Sequence, residues 1–207
     1  MRRKPRWLPS LLIAGLIGLS ACGNILQPRP NHSRFYVLTP IMSPERAASA
    51  TRSSPSIVIG LGPISMPPYL DREEMVTRAG PNQINISNRD FWAEPLKKGF
   101  SGTLATDFSE LLPGAQIVAF PWFSSTGIDY TVSVSVLRFE GETNGTALLI
   151  AKWALKNGRS GRLLYPGQSK IVEPIGPNQN QATALSRALN AMSRQIADAI
   201  ITVRQPA

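Results

Sequence analysis

From position 182 onward apolar side chains fall at Ala182, Leu185, Leu189, Met192, Ile196, Ala199 and Val203, in alternating steps of three and four. That spacing puts them on one side of an α-helix. It predicts a long helix over 180–203, with Arg187, Arg194 and Asp198 off the stripe. A second stripe, Leu96, Phe100, Leu104, Phe108, Leu111 and Leu112, predicts another helix. Trp92-Ala93-Glu94-Pro95-Leu96 opens it, with Pro95 in the first turn where a missing N–H costs nothing, and Pro113-Gly114 ends it. Between the helices the period falls to two. Val132, Val134 and Val136 alternate with Thr131, Ser133 and Ser135, and Leu149, Ala151, Trp153 and Leu155 share one face of the next strand. Turns at 141–145 and at Asn157-Gly158 lead to a return strand over 162–172, expected to break around Pro166-Gly167. These three make an antiparallel meander.

Upstream the runs are shorter. Phe35-Tyr36-Val37-Leu38 reads as a first strand stopped by Pro40, and 41–55 as a flexible surface loop. Ser56 to Leu61 suits a buried strand. Gly60-Leu61-Gly62 is no dinucleotide fingerprint, because Ser65 stands where the third glycine belongs and Pro63 where a helix should open. Prolines 63, 67 and 68 instead imply a rigid bend into Tyr69-Leu70-Asp71-Arg72. Strands near 75–78 and 83–87 flank the turn Gly80-Pro81-Asn82, and 117–120 is a further strand. Two long helices on a mixed, largely antiparallel sheet define an α/β (α+β) sandwich.

The first 21 residues follow another pattern. Arg2, Arg3, Lys4 and Arg6 precede an apolar run from Leu8 to Leu19, the layout of a signal peptide. As a helix that run of about twelve residues spans roughly 18 Å, against a hydrocarbon core of about 30 Å, so it is short for a membrane anchor. It ends in Leu19-Ser20-Ala21-Cys22, the recognition sequence of a bacterial lipoprotein signal. Small side chains at Ser20 and Ala21 admit the peptidase, and the Cys22 thiol can carry a diacylglycerol thioether. Cys22 is the single cysteine of the chain. A lone free thiol in an oxidising compartment would otherwise be a liability. The expected organisation is therefore a signal peptide at 1–21, an acylated Cys22 with a proline-containing tether over 22–33, and one domain over 34–207. A diacylglycerol and an N-acyl chain on Cys22 are the only attached groups expected; no other cofactor is. Gly23-Asn24 lacks the aspartate that retains lipoproteins in the inner membrane of enteric bacteria, which favours the outer membrane.

Charge changes this picture little. The formal +9 includes four signal-peptide cations, and the remaining basic residues are scattered without a run of five. A nucleic-acid partner would call for a clustered basic face with interleaved aromatics. Histidine occurs once, at His32 in the tether, so no Ser-His-Asp or Cys-His arrangement can form within the domain. Asp71, Glu73 and Glu74 cluster around Arg72, and Asp107 and Glu110 share a helix face. Charged helix faces and capped turns account for both groups without acid–base chemistry. No metal site and no catalysis are expected.

Gly62-Pro63, Pro67, Tyr69-Leu70-Asp71-Arg72, Val76-Thr77-Arg78 and Trp92-Ala93-Glu94-Pro95-Leu96 together resemble the PqiC/YmbA family of ABC-type transport auxiliary lipoproteins. Phe35 to Pro40 and the C-terminal helix fit as well, so the resemblance covers nearly the whole mature chain. It implies an outer-membrane lipoprotein that docks a periplasm-spanning MCE-domain protein, linked to an inner-membrane partner, and assists traffic of membrane lipid. It also accommodates a homo-oligomer. Alternatives are a periplasmic lipid-binding carrier and a purely structural envelope lipoprotein. Pro67, Tyr69, Leu70, Asp71, Arg72, Arg78, Trp92 and Glu94 are the candidate partner-binding residues. A proline-stiffened loop would present Tyr69 and Leu70 at low entropic cost, flanked by charges that set register. Replacing Tyr69 and Leu70 by alanine is then expected to weaken capture and spare the fold. Trp92 and Glu94 either join that surface or anchor the helix to the sheet.

Overall fold

The computed structural model describes residues 32–42, 57–122 and 126–204. The expectations for the signal, for Leu19, Ser20, Ala21 and Cys22, and for most of the 41–55 loop lie outside the described residues. In chain order the elements are β1 (Arg34–Tyr36), β2 (Ile57–Ser65), β3 (Glu74–Gly80), β4 (Gln83–Trp92), α1 (Leu96–Leu111), β5 (Ala115–Ala119), β6 (Tyr130–Glu142), β7 (Thr146–Asn157), β8 (Leu163–Pro174) and α2 (Gln181–Arg204).

Strand β6 holds the sheet together. One edge pairs antiparallel with β7 along its length, and β7 pairs antiparallel with β8. The other edge is shared, with β2 parallel to the first half of β6 and β3 parallel to its end. β5 lies parallel beyond β2, while β4 pairs antiparallel with β3 and carries the short parallel strand β1. The result is one eight-stranded mixed sheet. α1 packs on β2 and β5, α2 packs on β6, β7 and β8, and the helices touch each other. This is the expected α/β sandwich.

Valines 132, 134 and 136 are buried as their alternation predicts, up to a register shift between Val136 and Arg138. That bulge throws Leu137 outward and changes which residues face in. Phe139 enters the core edge-on to Phe100, at 5.2 Å between centroids. Arg138, Glu140 and Glu142 then alternate along the opposite face. The α1 stripe is buried at Leu96, Phe100, Leu104 and Phe108, and Pro95 sits one residue before the first turn, at the cap position. In α2 the buried face is wider than the predicted stripe and adds Ala184, Ala188 and Ile200, because this helix faces both the sheet and α1. The Asn180 side chain caps it by accepting the Thr183 N–H at 2.9 Å. The seven stripe residues of α2 contribute on the order of 10 kcal/mol of gross burial energy.

Three strands run further than expected. β8 continues through Pro166 and Gly167 without a break. It is paired only to β7, and an edge strand is where a sheet tolerates proline. β2 passes through Pro63, after a cis Gly62-Pro63 bond, to Ser65. β4 reaches Trp92, which therefore closes a strand instead of opening the helix.

Beyond β1 the chain is tied to both helices: the Thr39 N–H donates to Ser186 Oγ at 3.0 Å and the Ile41 N–H to Asp107 Oδ1 at 2.8 Å. Asp107 was expected on a charged helix face. It is fully buried instead, and its other oxygen accepts the Ser193 hydroxyl at 2.6 Å. Burial pushes its carboxyl pKa up against the anion-favouring hydrogen bonds from Ser193 and Ile41 and the field of Arg194. The native state therefore holds this proton more tightly than the unfolded chain does. Ionised Asp107 costs stability above its native pKa, and that cost is relieved as pH falls toward the unfolded value of about 3.9. Asp107→Asn is expected to fold normally and to flatten this part of the pH–stability curve, as measured by urea unfolding from about pH 4 to pH 7. An unchanged slope would refute the assignment.

Candidate functional site

The motif residues divide into two groups in space. The first surrounds the Glu140 carboxylate, which has no exposed surface. Its Oε1 accepts Arg78 Nε and Arg138 Nε, both at 2.8 Å, and its Oε2 accepts the Tyr69 hydroxyl at 3.0 Å and the Phe139 N–H at 3.1 Å. Arg138 also donates to Glu142 at 2.8 Å, which holds the Glu142 carboxyl below its usual range. Arg78 reaches further, to the Pro81 carbonyl at 3.1 Å and the Tyr69 oxygen at 3.3 Å, with its guanidinium 5.8 Å from the Tyr69 ring centre. Burial, then the neighbouring Glu140, raises the Tyr69 phenol pKa. With two arginines against two glutamates, the group is charge-balanced and satisfied within the chain.

This network pins the 67–72 turn. The Pro67 carbonyl accepts the Leu70 N–H at 2.9 Å, and the Pro68 carbonyl accepts the Asp71 N–H at 3.2 Å. Leu70 is only 2% exposed and belongs to the core, and Tyr69 is engaged with Glu140, so the turn does not offer this pair as free contact area. Truncating Leu70 to alanine removes core packing worth about 2–5 kcal/mol, so the double alanine variant would not spare the fold. Arg72 pairs with Glu74 at 2.9 Å, which draws the Glu74 pKa down. Trp92 is buried, and its backbone N–H donates to the Glu73 carbonyl at 2.7 Å. Glu94 pairs with Lys98 at 3.4 Å across one turn of α1. Trp92 thus lies in the core, while the ion pair of Glu94 is made to the helix it precedes and not to the sheet.

The second group lines an open groove of about 570 Å³ between the ends of β2 and β5 and the first turns of α1. Ile64, Ala105 and Phe120 supply apolar walls, and Asp71, Lys97 and Lys98 stand at it as charges. Phe120 is 51% exposed, a large apolar side chain left to solvent. It comes close to β2 because Gly62, at φ +124°, has no side chain; a Cβ there would collide with the Phe120 Cβ. Gly102 forms a bare stretch of helix wall, with nothing within 4 Å of where its Cβ would stand. Of the motif residues, Gly62, Pro63, Asp71 and Pro95 meet here.

Sequence reasoning missed Glu140, Arg138, Lys97, Gly102 and Phe120. One signal for Glu140 was available, since an acid alternates with Arg138 and Glu142 inside an otherwise apolar strand. Among the described residues no three His, Cys, Asp or Glu side chains gather as metal ligands. An open apolar groove beside an internally satisfied charge network has the form of a binding surface on a rigid scaffold.

The class so defined is a mixed α/β sandwich bearing an open apolar groove, and the sequence places it in a family. The chain belongs to the ABC-type transport auxiliary lipoprotein component family, whose model matches residues 36–197. The crystal structure of XCC0632 from Xanthomonas campestris, a DUF330 protein, is similar with a TM-score of 0.65 at 17% identity, covering 82% of this chain and 96% of that one. A crystal structure of an uncharacterized protein is similar with a TM-score of 0.61 at 20% identity, covering 82% and 97%. The PelC dodecamer from Paraburkholderia phytofirmans matches with a TM-score of 0.41 at 9% identity, covering 69% and 86%. At these identities the first two establish a shared fold. Among proteins of curated function, none matches the chain in sequence. Membership of a lipoprotein family indicates a membrane-anchored protein, and among the described residues no helix is long and apolar enough to cross a membrane.

Proposed function

We propose that this chain is the outer-membrane lipoprotein of an MCE-type intermembrane lipid transport system. Acyl chains on Cys22 hold it in the membrane, and the groove at Phe120 docks the periplasm-spanning MCE-domain partner, which in turn meets an inner-membrane component. One observation carries the reading: motif residues spread over more than thirty positions, Gly62-Pro63, Asp71 and Pro95, converge on a single exposed groove whose apolar walls have no cover within the described chain. The Glu140 network supports the docking surface by holding the 67–72 turn in place at no cost in unpaired charge. A rigid surface loses little entropy on binding.

Two substitutions test the groove in opposite ways. Phe120→Ala removes an exposed aromatic anchor and is expected to weaken capture of the MCE-domain partner by about 10- to 100-fold. Gly102→Leu fills the groove from the helix side, and exchanging glycine for a strong helix former is expected to raise stability by up to about 1 kcal/mol. A Gly102→Leu protein that melts higher and captures less partner is the expected result. Wild-type capture by both folded variants, measured by co-purification of the partner, would refute the groove as the docking site.

A further inference from the structure

We infer that a second cavity, at the β8 edge of the helix layer and distinct from the groove at Phe120, binds a neutral saccharide. Tyr165, Gly167 and Ser169 alternate on β8, so they share one face, and Gly167 stands opposite Trp153 of β7. With no Cβ at Gly167, the Trp153 indole lies across the strand, where any side chain would collide with its ring. The Tyr165 ring stacks on it at 5.5 Å between centroids and 9° between planes. Tyr165 remains 42% exposed, so it forms a platform stiffened from behind by a buried tryptophan.

Beside this platform runs a directed hydrogen-bond chain. The Trp153 indole N–H donates to Ser169 Oγ at 3.1 Å, and the buried Ser169 hydroxyl donates its one proton to Gln195 Oε1 at 2.6 Å. The carboxamide of Gln195 is thereby oriented, and its two N–H donors are left for a ligand. Asp198, one turn further along α2, is exposed and makes no ion pair among the described residues. Gln168 and Thr202 complete the polar wall of a cavity of about 500 Å³, within the ~300–1,000 Å³ of small-ligand sites.

The chemistry of these groups selects among ligands. A pyranose has an apolar C–H face that fits a flat aromatic ring, and an equatorial rim of hydroxyls that both donate and accept. Gln195 supplies donors and Asp198 a strong acceptor. An anionic ligand would meet Asp198 without any lysine or arginine lining the cavity, in a chain with 22 of them. A wholly apolar segment would bury Gln195 and Asp198 without partners.

The test uses the full acylated protein in a sugar-free detergent, with the Trp153 indole N–H followed by NMR during titration with chitotetraose and with cellotetraose. A saturable shift with a Kd between about 0.1 and 10 mM is expected for at least one of them. Tyr165→Ala, and separately Asp198→Asn, should each weaken it by about tenfold or more, and both alter exposed side chains, so folding is retained. No saturable shift with either sugar at about 10 mM would overturn the proposal. So would undiminished affinity in the folded variants, or a shift produced by a proline-rich peptide and by neither sugar.

Discussion

Glu140→Ala is expected to destabilise the protein by about 3–5 kcal/mol, the cost of removing one partner from a buried ion pair. The carboxylate has no exposed surface, while the side chains of Arg78 and Arg138 retain 19% and 25% exposure. Without Glu140 both guanidiniums lose their shared acceptor, and the Tyr69 hydroxyl loses its own. Urea unfolding should show the midpoint falling with little change in slope. The effects are not additive, because the arginines are costly only while the charge that balances them is missing. Removing Arg78 or Arg138 in the Glu140→Ala background should therefore cost less than removing it from the native protein. A loss below about 1 kcal/mol for Glu140→Ala would mean that the network is a set of surface pairs, which contribute little.

Cys22→Ser is expected to move nearly all of the protein from the membrane fraction to the soluble fraction. Serine cannot form the thioether, so the diacylglycerol and the N-acyl chain are lost together. Burial is worth about 0.8 kcal/mol per methylene, and a single chain gives only marginal, reversible binding, so stable attachment needs more than one chain. Ultracentrifugation and intact-mass measurement check this directly. If the serine variant still sediments with membranes, the apolar run from Leu8 to Leu19 is the anchor and the lipobox reading fails. Loss of the partner from the outer membrane alongside the soluble variant would tie the anchor to docking.

Both predictions turn on side chains that differ in how visible they were from the sequence. The expectation for Cys22 rests on local information, since a lipoprotein signal is a contiguous string and no folding is needed to interpret it. Glu140 is the reverse. It meets Tyr69 from 71 residues away and Arg78 from 62, and the parallel pairing of β3 with β6 sets Arg78 beside it, with Tyr69 coming from the turn that precedes β3. Asp107 was read as a surface acid for the same reason, because its partner Ser193 lies 86 residues further on.

Trp92 shows why boundaries failed where types held. The strand before it, Gln83 to Phe91, is mostly half-buried or exposed and has no clean alternation, so its length was not legible. The α1 and α2 stripes and the valines of β6 were legible because burial on one face imposes its own period of three to four or of two.

The chain order of apolar and polar residues thus decided the two helices, the β6–β8 meander and the sandwich class. Each depends on neighbours within one or two turns or along a single strand. The shared edge of β6, the buried Glu140 and Asp107, the core position of Leu70, and the groove at Phe120 were decided by tertiary structure alone. Whether a charge is solvated or a leucine exposed depends on which distant segment lies over it, and no local spacing encodes that.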